Sequence, residues 1–117
     1  MVVREPIEQY ETVRTWFEDF KTTWGEKPED ASSRLEVLRC FCQFVGKDPD
    51  TMIGECLRTV EGQLKISIKG RRFYVEMIQE FQDSLEGDAR QKAQGGNTIR
   101  SFLIHNGIFL QSGIQLR

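Results

Sequence analysis

Residues 38–53 read LRCFCQFVGKDPDTMI, and this stretch contains the end of one helix, a turn and the start of the next. Apolar residues at helical spacing run into Gly46, which suits the left-handed position that commonly follows a helix. Asp48 is a residue type that caps helix N-termini, and Pro49 fits the first helical position. The stretch therefore predicts two helices joined by a short turn, as in a helical bundle.

Helical spacing of apolar residues continues on both sides of this turn. It predicts helices over about 6–24, 30–45, 49–60 and 69–85. Among the aromatic residues of the first helix, Trp16 lies beside the main apolar stripe, and we expect it at the surface. Residues 61–70 are ambiguous, because Leu64, Ile66 and Ile68 alternate as in a strand. With no second strand in view, we interpret 61–70 as a connection or an irregular helix.

The last helical segment allows two interpretations. Gly95 and Gly96 each weaken a helix by roughly 1 kcal/mol relative to Ala. Either Asn97 caps a short final helix, or one helix runs over 88–105 and tolerates both glycines. Both interpretations give an all-α, compact bundle of four to five helices in a single domain over residues 1–108. Residues 109–117 lack a helical period and predict a linker.

Composition narrows the class of protein. The chain has 117 residues, of which 29% are charged and 38% hydrophobic, and its net charge is −2. No apolar run approaches the length of a membrane span, and the acidic start MVVREPIEQYE lacks an apolar signal core. We therefore expect one globular domain in the cytoplasm, without a membrane partner.

Few residues suit catalysis or metal binding. The three cysteines include no CxxC pair, and with a single histidine they predict no structural metal site. Cys40 and Cys42 lie in an apolar stretch, so we expect buried, reduced thiols. His105 precedes Asn106-Gly107, which favours a helix-capping role. Neither a glycine-rich nucleotide loop nor a Ser-His-acid set is recognisable, so we expect no cofactor, metal, small-molecule substrate or catalysis by this chain.

The charges are distributed unevenly. Residues 1–30 carry eight acids against four bases, whereas 63–72 carry four bases and no acid, and 88–117 carry four bases and one acid. Amide and hydroxyl side chains accompany the last basic group, and such side chains contact base edges and phosphates. We expect Arg90, Lys92 and Arg100 to share one exposed ridge. The nucleic-acid-binding candidates from charge and polarity are Lys69, Arg71, Arg72, Arg90, Gln91, Lys92, Gln94, Asn97 and Arg100.

Two stretches carry a family likeness. LRCFCQFVGKDPDTMI (38–53) and TIRSFLIHNGI (98–108) resemble, in order and separation, two motifs of the N-terminal core-binding domain of tyrosine recombinases of the phage integrase type. The resemblance covers about residues 10–108. It implies a SAM-like helical domain that forms one half of a clamp around duplex DNA and has no catalytic residues of its own. It also favours the continuous helix over 88–105.

The resemblance extends the candidate site. The family helices equivalent to the second and last helices here border the major groove. It therefore adds Ser32, Ser33 and Arg34, which begin the second helix, and implies contacts with other recombinase protomers. The family's catalytic half carries a His-x-x-Arg motif and a tyrosine nucleophile. His105 is followed by Asn-Gly-Ile, and both Tyr10 and Tyr74 fall on predicted apolar faces, so we expect that half beyond Arg117.

A second hypothesis is that the domain binds another protein and does not bind DNA. The acidic first helix and an exposed Trp16 would suit a helical protein–protein interaction module. A continuous positive face on the folded domain favours DNA binding, and scattered basic residues favour the interaction module.

Overall fold

The computed structural model describes residues 2–25 and 29–108, without the side chain of Trp24. The predicted linker over 109–117 lies outside the described residues. The elements in chain order are a 3-10 turn at Ile7–Gln9, α1 at Glu11–Trp24, α2 at Ala31–Val45, α3 at Pro49–Cys56, β1 at Leu57–Val60, β2 at Gln63–Ile66, α4 at Ile68–Ser84 and α5 at Ala89–His105. Helices account for most of the described residues, which confirms the all-α bundle.

The turn between α2 and α3 forms as its residues predict. Gly46 adopts φ 73° after α2. The carboxylate of Asp48 accepts a hydrogen bond from the backbone N–H of Thr51 at 2.7 Å, and Pro49 occupies the first turn of α3. These local signals are strong because Gly46 and Asp48 satisfy backbone groups that a helix end leaves unpaired, and Pro49 removes one such N–H.

The first helix begins later than predicted. Residues 7–9 form a separate 3-10 turn, and Tyr10 is extended, with φ −69° and ψ 134°. The hydroxyl of Tyr10 accepts a hydrogen bond from the backbone N–H of Arg4 at 3.0 Å. The break at Tyr10 lets its ring pack in the core and hold the N-terminal segment against α1.

Residues 57–66 form a β-hairpin, so our interpretation of 61–70 as a connection or irregular helix was wrong. Strand β1 pairs with β2 in antiparallel register. The sequence did not predict β1, because Leu57 and Val60 are spaced like the apolar positions of a helix. Glu61 at φ 53° and Gly62 at φ 79° make the two-residue turn. Positive φ at both central residues matches the twist of paired strands.

Helix α5 is continuous through both glycines. Gly95 and Gly96 are buried where α5 crosses α4. A Cβ at Gly95 would overlap the Leu85 side chain, and one at Gly96 would overlap the Gln82 amide. The close packing of α5 against α4 therefore offsets the low helix propensity of Gly95 and Gly96. A capping box between Asp88 and Gln91, with both hydrogen bonds at 2.9 Å, fixes the start of the helix.

Large aromatic residues fill the core around α5, which packs against α1, α2 and α4. Trp16 is fully buried, contrary to the expectation of a surface position. Its ring meets Phe102 edge to face at 5.4 Å between centroids, and its indole N–H donates to the Ser101 hydroxyl at 3.1 Å. Cys42 is buried as expected, and so is Cys56. The expectation for Cys40 was wrong, because its side chain lies on the outer face of α2 and is exposed.

A polar contact joins α3 to α4. The buried Tyr74 hydroxyl donates to one carboxylate oxygen of Glu55, and the other oxygen pairs with the Lys47 ammonium at 2.5 Å. Lys47, and then Tyr74, lower the pKa of Glu55 below its ordinary value of 4.5. Burial, followed by the Glu55 contact, raises the pKa of Tyr74. The Tyr74–Glu55–Lys47 contact thus stabilises the charged form of the carboxylate.

Candidate nucleic-acid interface

One face of α5 carries a row of polar side chains, which we call the α5 stripe: Arg90, Gln94, Asn97 and Ser101. Their spacing of four, three and four residues places them above one another on the helix. The last three line an open cleft of about 680 Å³, and Arg90 continues the row one turn further toward the N-terminus. The α5 stripe therefore presents donors and acceptors along one side of the bundle.

The opposite wall of this α2–α5 cleft comes from the start of α2. Ser33 and Arg34 line it together with Gln91, Gln94 and Asn97. The structure thus brings together five of the candidates that lie far apart in the sequence. Ser32 is exposed at the start of α2 but does not line the cleft.

Arg34 is held in place by two contacts. Its guanidinium donates to the Asp30 carboxylate at 2.8 Å and lies 5.3 Å above the centroid of the Phe20 ring. The first contact compensates its charge and the second fixes its plane. Arg34 can therefore offer directed hydrogen bonds, but it contributes little net positive potential.

Arg100 leans away from the cleft, toward α4. Its guanidinium donates to the amide oxygens of Gln82 and Asn97, each at 2.9 Å, and lies 3.5 Å from that of Gln79. Neutral amides orient the group without compensating its charge, and it forms no ion pair within the described residues. Arg100 thus keeps a positive charge along one edge of the α5 stripe.

The expected single ridge of Arg90, Lys92 and Arg100 does not form. Two residues along a helix correspond to a rotation of about 200°, so Lys92 lies on nearly the opposite side of α5 from Arg90. Lys92 is half-buried, whereas Arg90 is exposed. Basic residues two positions apart on one helix cannot share a face. The amides of the stripe therefore accompany Arg90 and, at its edge, Arg100, but not Lys92.

The C-terminal end of α5 is tied to α1. The Nδ1 atom of His105 lies 2.5 Å from a carboxylate oxygen of Asp19, and its ring tilts against Phe20. The expected capping role belongs instead to Asn106, whose side-chain N–H donates to the Phe102 carbonyl at 2.9 Å. His105 thus lines the α2–α5 cleft at the C-terminal end of α5.

The remaining candidates lie at the start of α4. Lys69 and Arg72 are exposed and line a second cleft of about 560 Å³, whereas Arg71 is half-buried. Arg58 of the hairpin lines the same cleft. Sequence reasoning missed Arg58, because only the pairing of β1 with β2 brings it close to α4. The basic residues thus form two separate groups.

Acidic residues accompany the first group and are absent from the lining of the second. Asp30 and Glu86 line the α2–α5 cleft, so its walls are mixed in charge. The second cleft is lined by three bases and no acid. The more positive of the two surfaces is therefore at the hairpin.

Within residues 2–25 and 29–108, no three acidic, cysteine or histidine side chains are grouped so that they could hold a metal ion. None of the helices in this part of the chain has the length and apolar character needed to cross a bilayer. Comparisons with protein-family models, with curated proteins and with solved structures found no match.

Proposed function

We propose that this chain is the DNA-binding helical domain of a site-specific recombinase of the tyrosine type. It positions duplex DNA and contributes no catalytic group. The single observation that supports the proposal most is the α2–α5 cleft. It joins the two segments to which the family resemblance assigns DNA contacts, and their side chains there are hydrogen-bonding ones.

The chemistry of the α5 stripe fits groove and backbone contacts. Glutamine and asparagine amides can pair with adenine edges, and serine hydroxyls and arginine guanidinium groups bind phosphate oxygens. Helix α5 has 17 residues, which corresponds to roughly 25 Å of length. The exposed stripe would lie along the duplex, while the buried face of α5 keeps it anchored to the other helices.

The charges around the stripe favour modest affinity. Asp30 compensates Arg34, and the whole chain has a net charge of −2. We expect non-specific duplex to bind with a dissociation constant of about 10⁻⁴ to 10⁻⁶ M at physiological salt. Tighter binding would require further recombinase protomers and a catalytic segment on the other side of the duplex, as in a clamp.

The proposal also includes a cellular location. Site-specific recombination requires access to DNA, and we propose that the protein acts in the cytoplasm. All three cysteines are free thiols, as expected for a protein in a reducing compartment.

The separation of the basic candidates into two groups, rather than one continuous positive face, favours the alternative, a protein–protein interaction module. The burial of Trp16 counts against it, because that hypothesis relied on an exposed Trp16 and the ring is fully buried. It remains an outcome of the binding experiment below.

Fluorescence anisotropy with a labelled duplex of about 20 base pairs tests the proposal. The variant Arg90→Gln/Gln94→Ala removes one charge and one amide from the stripe. Neither the Arg90 nor the Gln94 side chain makes a hydrogen bond or ion pair within the described residues. Lys21→Gln, on the exposed face of α1, is the control with the same charge change. We expect the stripe variant to bind several-fold more weakly and with a log–log salt slope shallower by about 0.9, the value for one phosphate contact. Equal affinity of the two variants, or no binding by the wild type, would contradict the proposal.

A further inference from the structure

Two basic residues face each other directly across the hairpin. Arg58 on β1 is the register partner of Lys65 on β2, and both are exposed. Like charges directly opposite each other destabilise an antiparallel pair. Neither side chain forms an ion pair within the described residues.

The first turns of α4 add two more cations. Lys69 and Arg72 are exposed, form no ion pair within residues 2–25 and 29–108, and line the 560 Å³ cleft with Arg58. We call Arg58, Lys65, Lys69 and Arg72 the basic hairpin surface. Other parts of the chain show the usual pattern, in which Arg39 pairs with Glu5 at 2.8 Å.

Packing fixes the hairpin relative to α4. The Ser67 N–H donates to the Cys56 carbonyl at 2.7 Å and so closes the base of the hairpin. Gly70 lies against the backbone of Glu55 so closely that no side chain could be accommodated. The backbone positions that carry the four cations are therefore fixed relative to one another, so that binding does not have to order the hairpin.

We propose that the basic hairpin surface binds backbone phosphates of duplex DNA, as a second contact in addition to the α5 stripe. The inference rests on the proposed function, which supplies DNA as the ligand. Its chemistry is sequence-independent, because lysine and arginine are present without the amides that accompany the α5 stripe. An anion that lies between or above Arg58 and Lys65 relieves the repulsion between them.

The shape of the charge distribution favours a duplex over an anionic membrane. The exposed face of α4 beyond Arg72 carries Glu76, Glu80 and Asp83. A flat bilayer would bring these carboxylates close to anionic headgroups, whereas a rod-shaped duplex can contact the hairpin end alone. Exposed Leu64 and Ile68 neighbour the cations, so a vesicle measurement belongs in the test.

The test compares Arg58→Gln/Lys65→Gln with Arg4→Gln/Lys21→Gln, a control that removes the same two charges at exposed sites outside both surfaces. Affinity for a 20-base-pair duplex is measured from 50 to 200 mM salt, with thermal melts of each variant. We expect the hairpin variant to bind several-fold more weakly than wild type and to melt at the same or a higher temperature. The slope of log affinity against log salt concentration should be shallower by about 1.8, the value for two phosphate contacts.

The outcomes separate the two proposals. A slope equal to that of the control, together with a loss in the Arg90→Gln/Gln94→Ala variant, overturns the hairpin inference alone. No duplex binding by the wild type overturns both. Binding of the wild type to vesicles with anionic lipid, lost in the hairpin variant while its duplex affinity is unchanged, would make the surface a membrane contact and also overturn the inference.

Discussion

Gly70 in the first turn of α4 lies directly against the backbone carbonyl of Glu55 near the end of α3. This contact brings the ends of the two helices together and leaves the ten residues between Cys56 and Ser67 to form the hairpin. The positions of Arg58 and Lys65 relative to Lys69 and Arg72 therefore depend on one close backbone approach.

Substitution of Gly70 should be costly. A Cβ at residue 70 would overlap the Glu55 carbonyl, a backbone atom that cannot rotate away. We expect Gly70→Ala to lower the free energy of unfolding by about 1–3 kcal/mol, as measured by urea denaturation. Gly54 in α3 is the matched control, because a Cβ there would meet nothing within 4 Å. Gly54→Ala should stabilise by about 0.5–1 kcal/mol. Equal effects of the two substitutions would contradict the close packing.

Reversing one charge on the hairpin should raise stability and lower DNA affinity together. Lys65→Glu places a carboxylate opposite Arg58, and we expect stabilisation of about 0.2–1 kcal/mol. The double variant Arg58→Glu/Lys65→Glu restores like charges and should lose that gain. Thermal melts and duplex titrations on the same samples measure both quantities. If Lys65→Glu lowers the melting temperature, the repulsion inferred from the register is absent.

Stability should depend on pH through Glu55. Its pKa is lowered in the folded state by Lys47 and then by Tyr74, so its contribution is present above the unfolded value near 4.5. That contribution is lost as the pH falls through the lower, folded pKa. We expect Glu55→Gln to be less stable than wild type at pH 7 and the difference to shrink below about pH 4.5. Glu80→Gln, on the exposed face of α4, controls for net charge. A gap that stays constant down to pH 2 would show that the Glu55 carboxylate gains nothing from its partners.

The three thiols should differ in reactivity. Burial raises the pKa of Cys42 to about 12 and that of Cys56 to about 11, whereas Cys40 is exposed. Because the thiolate is the reactive form, we expect one thiol per chain to react quickly with a disulfide reagent at pH 8 and all three to react in denaturant. Cys40→Ser should abolish the fast phase. Rapid reaction of two or three thiols in the native protein would contradict the burial of Cys42 and Cys56.

Local signals explain which parts of the fold could be predicted. Gly46 and Asp48 satisfy backbone groups within a few residues, and Pro49 lacks the N–H that would stay unpaired there, so the helix ends they define are correct. The hairpin could not be predicted in the same way. Its first strand continues the apolar spacing of α3, and Glu61 takes a positive φ that is uncommon for residues other than glycine.

Only the part of the candidate site that lies within one helix could be predicted from the sequence. Amides interleaved with basic residues indicated Arg90, Gln94 and Asn97 as candidates. The same proximity in sequence wrongly placed Lys92 on one ridge with Arg90, and it did not indicate Ser101. The pairing of Arg34 with Asp30 and the approach of Arg58 to Lys69 depend on tertiary structure. Counting charges along the chain could not show which Lys and Arg side chains pair with an acidic residue in the folded protein.

The most direct test of the central claim is a ¹⁵N–¹H correlation titration of the protein with an unlabelled duplex of about 20 base pairs. The titration reports on the α5 stripe and on the basic hairpin surface in one sample. We expect amide shifts to concentrate in residues 90–101 of α5 and in 57–72 at the hairpin and the start of α4, and to diminish as salt rises from 50 to 200 mM. Unchanged spectra at millimolar duplex, or shifts confined to the acidic helix α1, would contradict DNA binding by this domain.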